Sequence, residues 1–142
     1  MMRVVSVFVL TLLVLCHARA QSDSSKHAAK RKPFYTEVAK APPKAAARPN
    51  PLESDPEAVA AGSKLYAMHC AECHGEMANG TSRAPSLRDD HVQHATPGAL
   101  FWVLTTGVVR RGMPVWSKLP EPQRWQLVSY IESLSNPESQ EP

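Results

Sequence analysis

An all-α fold, with three main helices joined by long loops around a covalently bound group, is what this 142-residue sequence predicts. Three observations carry that expectation. Apolar residues recur at helical spacing in three segments, and no run alternates as a strand would. Between the first two segments lies a long irregular stretch, Gly75 to Thr96, which a compact domain tolerates only if something besides chain packing fills its middle. Lastly, Cys70-Ala71-Glu72-Cys73-His74 has the C-x-x-C-H spacing that attaches a prosthetic group.

In chain order, Met1 to Ala20 read as a secretory signal. Arg3 is its basic start, Val4 to Leu15 its apolar run, and Ala18-Arg19-Ala20 offers small residues for cleavage before Gln21. The run is short of the ~20 apolar residues of a spanning helix, so an uncleaved anchor is the lesser reading. Cys16 follows Leu15, whereas a lipoprotein site needs a small residue there. Residues 21–53 are rich in Ala, Lys, Pro and Ser, and Ala41-Pro42-Pro43 and Pro49-Asn50-Pro51 interrupt any regular element. They are expected to be a disordered, solvated linker.

The folded domain is expected over 54–136, with a flexible tail over 137–142. Its first helix opens at Asp55-Pro56 with an acidic first turn, runs to about Cys73 and ends at Gly75. The second covers Pro97 to Thr106, with Leu100, Phe101, Val103 and Leu104 as an apolar face and Gly107 as its stop. A third spans Glu121 to Leu134 and places Trp125, Val128, Ile131 and Leu134 along one side, with Leu127 and Tyr130 beside them. A domain of this size has little margin from its own core, and a large apolar cofactor would supply one.

The formal charge of +3 averages unlike segments: residues 21–53 carry seven basic and three acidic groups, residues 54–142 seven and ten. That is a basic tether on a mildly acidic domain. The basic residues lie in the linker without aromatic partners for stacking bases, which argues against nucleic acid as a partner. Membrane association through an uncleaved N-terminus or through Lys26, Lys30, Arg31 and Lys32 is a further reading.

The chemistry sits in the C-x-x-C-H motif. On a helical turn Cys70, Cys73 and His74 project to one side, since neighbours three and four apart share a face. Two thiols there can add to the two vinyl groups of one haem while the adjacent imidazole meets the iron. The imidazole must be neutral and needs its other nitrogen held, an acceptor expected in the Ala84-Pro85-Ser86 turn. Zinc would want a second ligand pair, which is absent, and a thioredoxin-like site would want a preceding strand. A bare structural disulfide is the remaining, weaker reading.

For the sixth iron ligand the sequence offers Met68, Met77, Met113, His69, His91 and His94. Met68 and His69 lie in the attachment helix and Met77 too close behind it. Met113, in Arg111-Gly112-Met113-Pro114, is far enough along, with a glycine permitting close approach; His91 or His94 is the runner-up. A thioether ligand would close the iron and raise its potential.

These features in order resemble a class I cytochrome c of the compact bacterial type, over about Ser54 to Ser135: Gly62-x-x-x-Tyr66, then Cys70 to His74 with Gly75, then Pro85, then Met113-Pro114. The resemblance implies the small cytochrome c-like fold, with Gly62 and Tyr66 meeting Leu127 and Tyr130 where the first and last helices cross. It also implies that the Pro85 carbonyl accepts the hydrogen bond from His74. Arg110-Arg111 beside Met113, and Trp102 with Trp116 in the same region, depart from the pattern.

The function expected is that of an exported, periplasmic monohaem c-type cytochrome carrying single electrons between transient redox protein partners, as a monomer. Its cofactor is one haem c bound through Cys70 and Cys73, with His74 and Met113 on the metal. Nothing resembles a nucleophile with its base and orienting group, so no enzyme activity and no catalytic residue is expected. Two alternatives stand beside it: a haem c subunit of a larger dehydrogenase or oxidase, and a haem enzyme or gas sensor with an open iron.

Overall fold

The computed structural model describes residues 36–135, so the signal over 1–20, the first part of the linker and the tail over 137–142 lie outside the described residues. Six α-helices follow one another: α1 (Pro43–Ala46), α2 (Pro56–His69), α3 (Ala71–His74), α4 (Asp90–Gln93), α5 (Pro97–Thr106) and α6 (Glu121–Ser133). Two 3-10 turns, Val38–Lys40 and Val109–Arg111, join them. Among the described residues the one β feature is an isolated antiparallel bridge between Val108 and Met113. The fold is all-α and of the small cytochrome c type. None of the described helices is long and apolar enough to cross a membrane.

Two of the three main helices begin at a side-chain cap, and α6 starts after Pro120 without one. The Asp55 carboxylate accepts from the Glu57 and Ala58 amides, and Pro56 sits in the first turn where its missing N–H costs nothing. The Thr96 hydroxyl accepts from the Ala99 amide at the start of α5. In place of one helix to Cys73, the structure breaks the chain at Cys70 (φ −122°) and restarts it as α3. Gly75 closes α3 at φ +82°, ψ 149°, a conformation that only glycine adopts readily.

The core forms where α2 crosses α6. A Cβ added to Gly62 would stand 2.0 Å from the Gln126 carbonyl oxygen and 2.8 Å from Tyr130 Cβ, so the two backbones touch there. Gln126, not Leu127, is thus the immediate neighbour of Gly62. Tyr66 and Tyr130 lie with ring centroids 5.1 Å apart, and Tyr66, Leu127 and Val128 are fully buried beside them.

Residues 36–53 correct the expectation of a disordered linker. Asn50 is buried, its side-chain amide donating to Ser129 Oγ (3.0 Å) and Glu132 Oε2 (2.9 Å) while its oxygen accepts from the Leu52 amide. The carbonyls of Ala45, Ala46 and Arg48 press on Gly98, where a Cβ would come within 2.1 Å of the first of them. The Arg48 guanidinium lies over the Phe101 ring at 4.7 Å and pairs with Glu121 at 2.6 Å. The segment orders because its polar atoms find partners on α6 and its prolines set up turns, even though its composition is that of a spacer.

Candidate functional site

A cavity of about 600 Å³ opens between the attachment motif, α5 and the loop around Met113. That is within the roughly 300–1,000 Å³ of ligand sites. Cys70, Cys73 and His74 line it from one segment and Met113 from another. Leu100, Val103 and Leu104 of α5, with Val92 and Ile131, give it an apolar wall.

His74 is held by the loop that follows it. Its Nδ1 lies 2.8 Å from the Pro85 carbonyl oxygen, which can only accept, so Nδ1 carries the proton and Nε2 keeps its lone pair. Burial pushes the imidazole pKa below its ordinary value, and the Pro85 hydrogen bond opposes this in part. The ring is therefore neutral at pH 7, as a metal ligand must be. Backbone bonds from Gly80 N–H to the His74 carbonyl (2.8 Å) and from Leu87 N–H to the Ala78 carbonyl (2.9 Å) fold the loop back on itself.

No disulfide joins the two motif cysteines. Burial, with Cys73 nearby, pushes the Cys70 thiol up to about 11. The Cys73 carbonyl accepts from the Thr81 hydroxyl at 2.5 Å, and that of Gly75 from the Tyr66 hydroxyl at 2.5 Å. The C-terminal end of the attachment turn is thus tied twice. Burial also raises the Tyr66 phenol, keeping it a neutral donor.

Met113 is placed by its loop. Its backbone exchanges two hydrogen bonds with Val108, and the Trp116 amide donates to the Leu104 carbonyl at 3.0 Å. Gly107 (φ +65°) is the residue that lets the strands of this loop approach, since a Cβ there would meet the Pro114 oxygen at 2.6 Å. Gly112 serves differently from the sequence expectation: it turns the chain at φ +88° with open space beside it. His91 and His94 do not line the cavity; their rings bond to Asp89 and to the Asp90 carbonyl instead. Met68 and Met77 are exposed. Trp116 lines the cavity, tilted against His69 with centroids 5.2 Å apart, whereas Trp102 does not.

Sequence reasoning missed Glu37 and Val38, both on the cavity wall. The Pro-rich composition around them hid the signal, though Asn50 between two prolines hints at a fixed turn. The donor set fits a haem: two free thiols beside a neutral imidazole with one open nitrogen, a thioether from a separate loop, and an apolar wall wide enough for a macrocycle.

A helical domain with such a site is a small class I-like cytochrome c. A family model described as "Cytochrome C oxidase, cbb3-type, subunit III" matches residues 57–131, more than half of the chain, and the chain belongs to that family of monohaem cytochromes c. It is 31% identical over 116 residues to the cbb3-type cytochrome c oxidase subunit CcoP of Rubrivivax gelatinosus, covering 80% of this chain and 36% of that protein. It is 31% identical over 93 residues to the cbb3-type cytochrome c oxidase subunit FixP of Sinorhizobium medicae (strain WSM419), covering 58% of this chain and 32% of that protein. The chain therefore spans about a third of the length of these curated relatives. Membership implies haem c and a part in electron transport.

Proposed function

We propose that this chain is the haem c electron-carrying part of an oxidase-type complex, on the periplasmic side of a membrane. The observation that carries the haem assignment is the convergence of Cys70, Cys73, His74 and Met113 on one apolar cavity. The subunit reading draws its support from the two oxidase subunits that the chain resembles, and it moves ahead of the freely diffusing shuttle that the sequence alone favoured.

In this reading Cys70 and Cys73 would hold a haem covalently, His74 Nε2 and the Met113 sulfur would bind its iron, and the group would supply a one-electron couple. The chain does the rest. The Pro85 carbonyl holds the His74 proton on Nδ1, so the ligand neither rotates nor protonates. Leu100, Val103 and Leu104 keep water from the ring, which favours the less charged ferrous state. With His74 and Met113 both on the iron, the site would be closed to substrate, which suits a part that passes electrons. The signal over 1–20 exports it, and the basic residues of 21–35 serve as its tether to the complex.

The test is a visible spectrum of the exported protein, oxidised and reduced, with carbon monoxide added to the reduced form. A c-type spectrum that carbon monoxide leaves unchanged supports the closed iron, and rapid binding refutes it. Met113→Ala should then lower the potential and admit carbon monoxide. Recovery of the chain in a stable membrane complex supports the subunit reading; recovery as a monomer returns the shuttle to first place.

A further inference from the structure

We propose that residues 36–53 act as a latch on the loop that carries Met113, with Glu37 as the positioning residue for its thioether. This rests on the reading of Met113 as the sixth ligand. The strap is fixed to the helical body at two places. Asn50 is bonded to Ser129 and Glu132 on α6, and the carbonyls of Ala45, Ala46 and Arg48 fill the space that a side chain at position 98 would take. From these anchors the chain leads back to the Val38–Lys40 turn, and Val38 packs on the core and on the cavity wall.

Glu37 stands at the far end. Its carboxylate lies 2.7 Å from Lys40 Nζ within the strap and 3.9 Å from Arg111 Nε in the Met113 loop. Arg111 is two residues from Met113, in the 3-10 turn closed by the Val108–Met113 bridge. The outer side of that loop has little packing of its own: Val109 and Val115 are exposed, and Gly112 has open space beside it. The inner side of the loop packs on the core through Met113 and Trp116, but its outer side opens more readily than the helices that carry it. Every such opening would take the thioether from the iron. The strap brings the Glu37 charge to the loop from anchors on α5 and α6, which adds to the cost of opening.

The experiment uses the haem-loaded, full-length chain and reads carbon monoxide binding to ferrous iron, the methionine–iron charge-transfer band of the ferric form, and the reduction potential. Glu37→Gln removes the charge and keeps the shape; a long, partly buried pair of this kind predicts a two- to fivefold rise in carbon monoxide uptake, about what a weak ion pair supplies. Gly98→Ala drives the strap off its seat and predicts roughly a tenfold rise, a weaker charge-transfer band and a lower potential. Arg88→Lys is the control: it loosens bonds to the Met77 and Leu134 carbonyls away from the strap, and should lower the melting temperature without opening the iron. The latch is overturned if Glu37→Gln and Gly98→Ala both bind carbon monoxide as the parent does, or if Arg88→Lys opens the iron as far as they do. Glu37→Gln alone decides the matter should Gly98→Ala fail to fold. A parent without the charge-transfer band overturns the Met113 reading and the latch together, whereas the band with unchanged variants sinks the latch only.

Discussion

Adding one methyl group at Gly62 would force apart the helix crossing around which this domain is organised. An alanine Cβ there would lie 2.0 Å from the Gln126 carbonyl oxygen, 2.7 Å from its carbon and 2.8 Å from Tyr130 Cβ. Unstrained carbon–oxygen contacts need about 3.3–3.6 Å. The obstacle is helix backbone, which cannot swing aside as a side chain can, so α2 and α6 must separate by more than ~1 Å. A radial gap of about 0.5–1 Å forfeits a quarter to a half of each dispersion contact across the interface, where Tyr66, Leu127 and Val128 are fully buried. Overpacking of this kind costs about 1–3 kcal/mol and sometimes more. The better helix propensity of alanine returns about 1 kcal/mol. Because the clash is with backbone, the upper end applies and a net loss of ~2 kcal/mol is expected. For a domain of 60–100 residues that lowers the Tm by ~8–16 °C. Thermal melting of the haem-loaded protein by far-ultraviolet circular dichroism measures it. A Tm within ~3 °C of the parent would refute backbone-to-backbone contact at this crossing.

Further outcomes follow from individual side chains. Burial raises the Glu132 carboxyl above its ordinary value, the Asn50 hydrogen bond opposing and Glu53 adding to the shift. A carboxyl raised by folding contributes stability that is full below its unfolded value of about 4.3 and is lost as the pH rises through the folded value. Urea unfolding at stepped pH should show that decline, and Glu132→Gln should flatten it; an equal slope in the variant would remove Glu132 as the cause. Tyr66→Phe leaves the Gly75 carbonyl without its donor and should cost about 1 kcal/mol. Denaturant midpoints would show it, and no change would mean that water satisfies that carbonyl equally well. Breaking the Arg48–Glu121 pair with Glu121→Gln should leave the denaturant midpoint close to that of the parent and erase part of its salt dependence, since both side chains are about half exposed. A clear drop in the midpoint would assign the pair a structural role.

Much of this was legible in the residues, for physical reasons. The start of α2 could be read because Asp55-Pro56-Glu57 combines a cap, a fixed φ and a favourable charge in three positions. The face of α6 could be read from the spacing of Trp125, Val128 and Ile131, all buried. The residues alone pointed to the Ala84-Pro85-Ser86 turn for the His74 acceptor, the resemblance singled out Pro85, and its carbonyl lies 2.8 Å from Nδ1. What escaped were contacts between distant segments. Nothing local marks Cys70 as a helix break, since its φ reflects the pull of the cavity and of the loop behind it. Composition argued for disorder over 36–53, yet a single amide side chain, Asn50, meets two acceptors on α6, a match visible only once α6 is in place. Likewise Gly107 and Gly112 look alike in sequence, and only the neighbouring Pro114 carbonyl separates the glycine needed for space from the one needed for its turn.

The loop from Gly75 to Leu87 bears on how fast an electron can move. It closes on itself through Gly80 N–H to the His74 carbonyl, Thr81 N–H to the Ala84 carbonyl and Leu87 N–H to the Ala78 carbonyl, and it presents the Pro85 oxygen to the imidazole at 2.8 Å. An electron tunnels only when its surroundings reach a geometry that suits both charge states, and each atom that must shift between them adds to the reorganisation energy. Here the imidazole and the dipole facing it are set in advance by bonds that the charge of the site does not alter. With His74 on a haem iron, little nuclear motion would stand between the two charge states, and this short loop would act as a fixed mount for the imidazole.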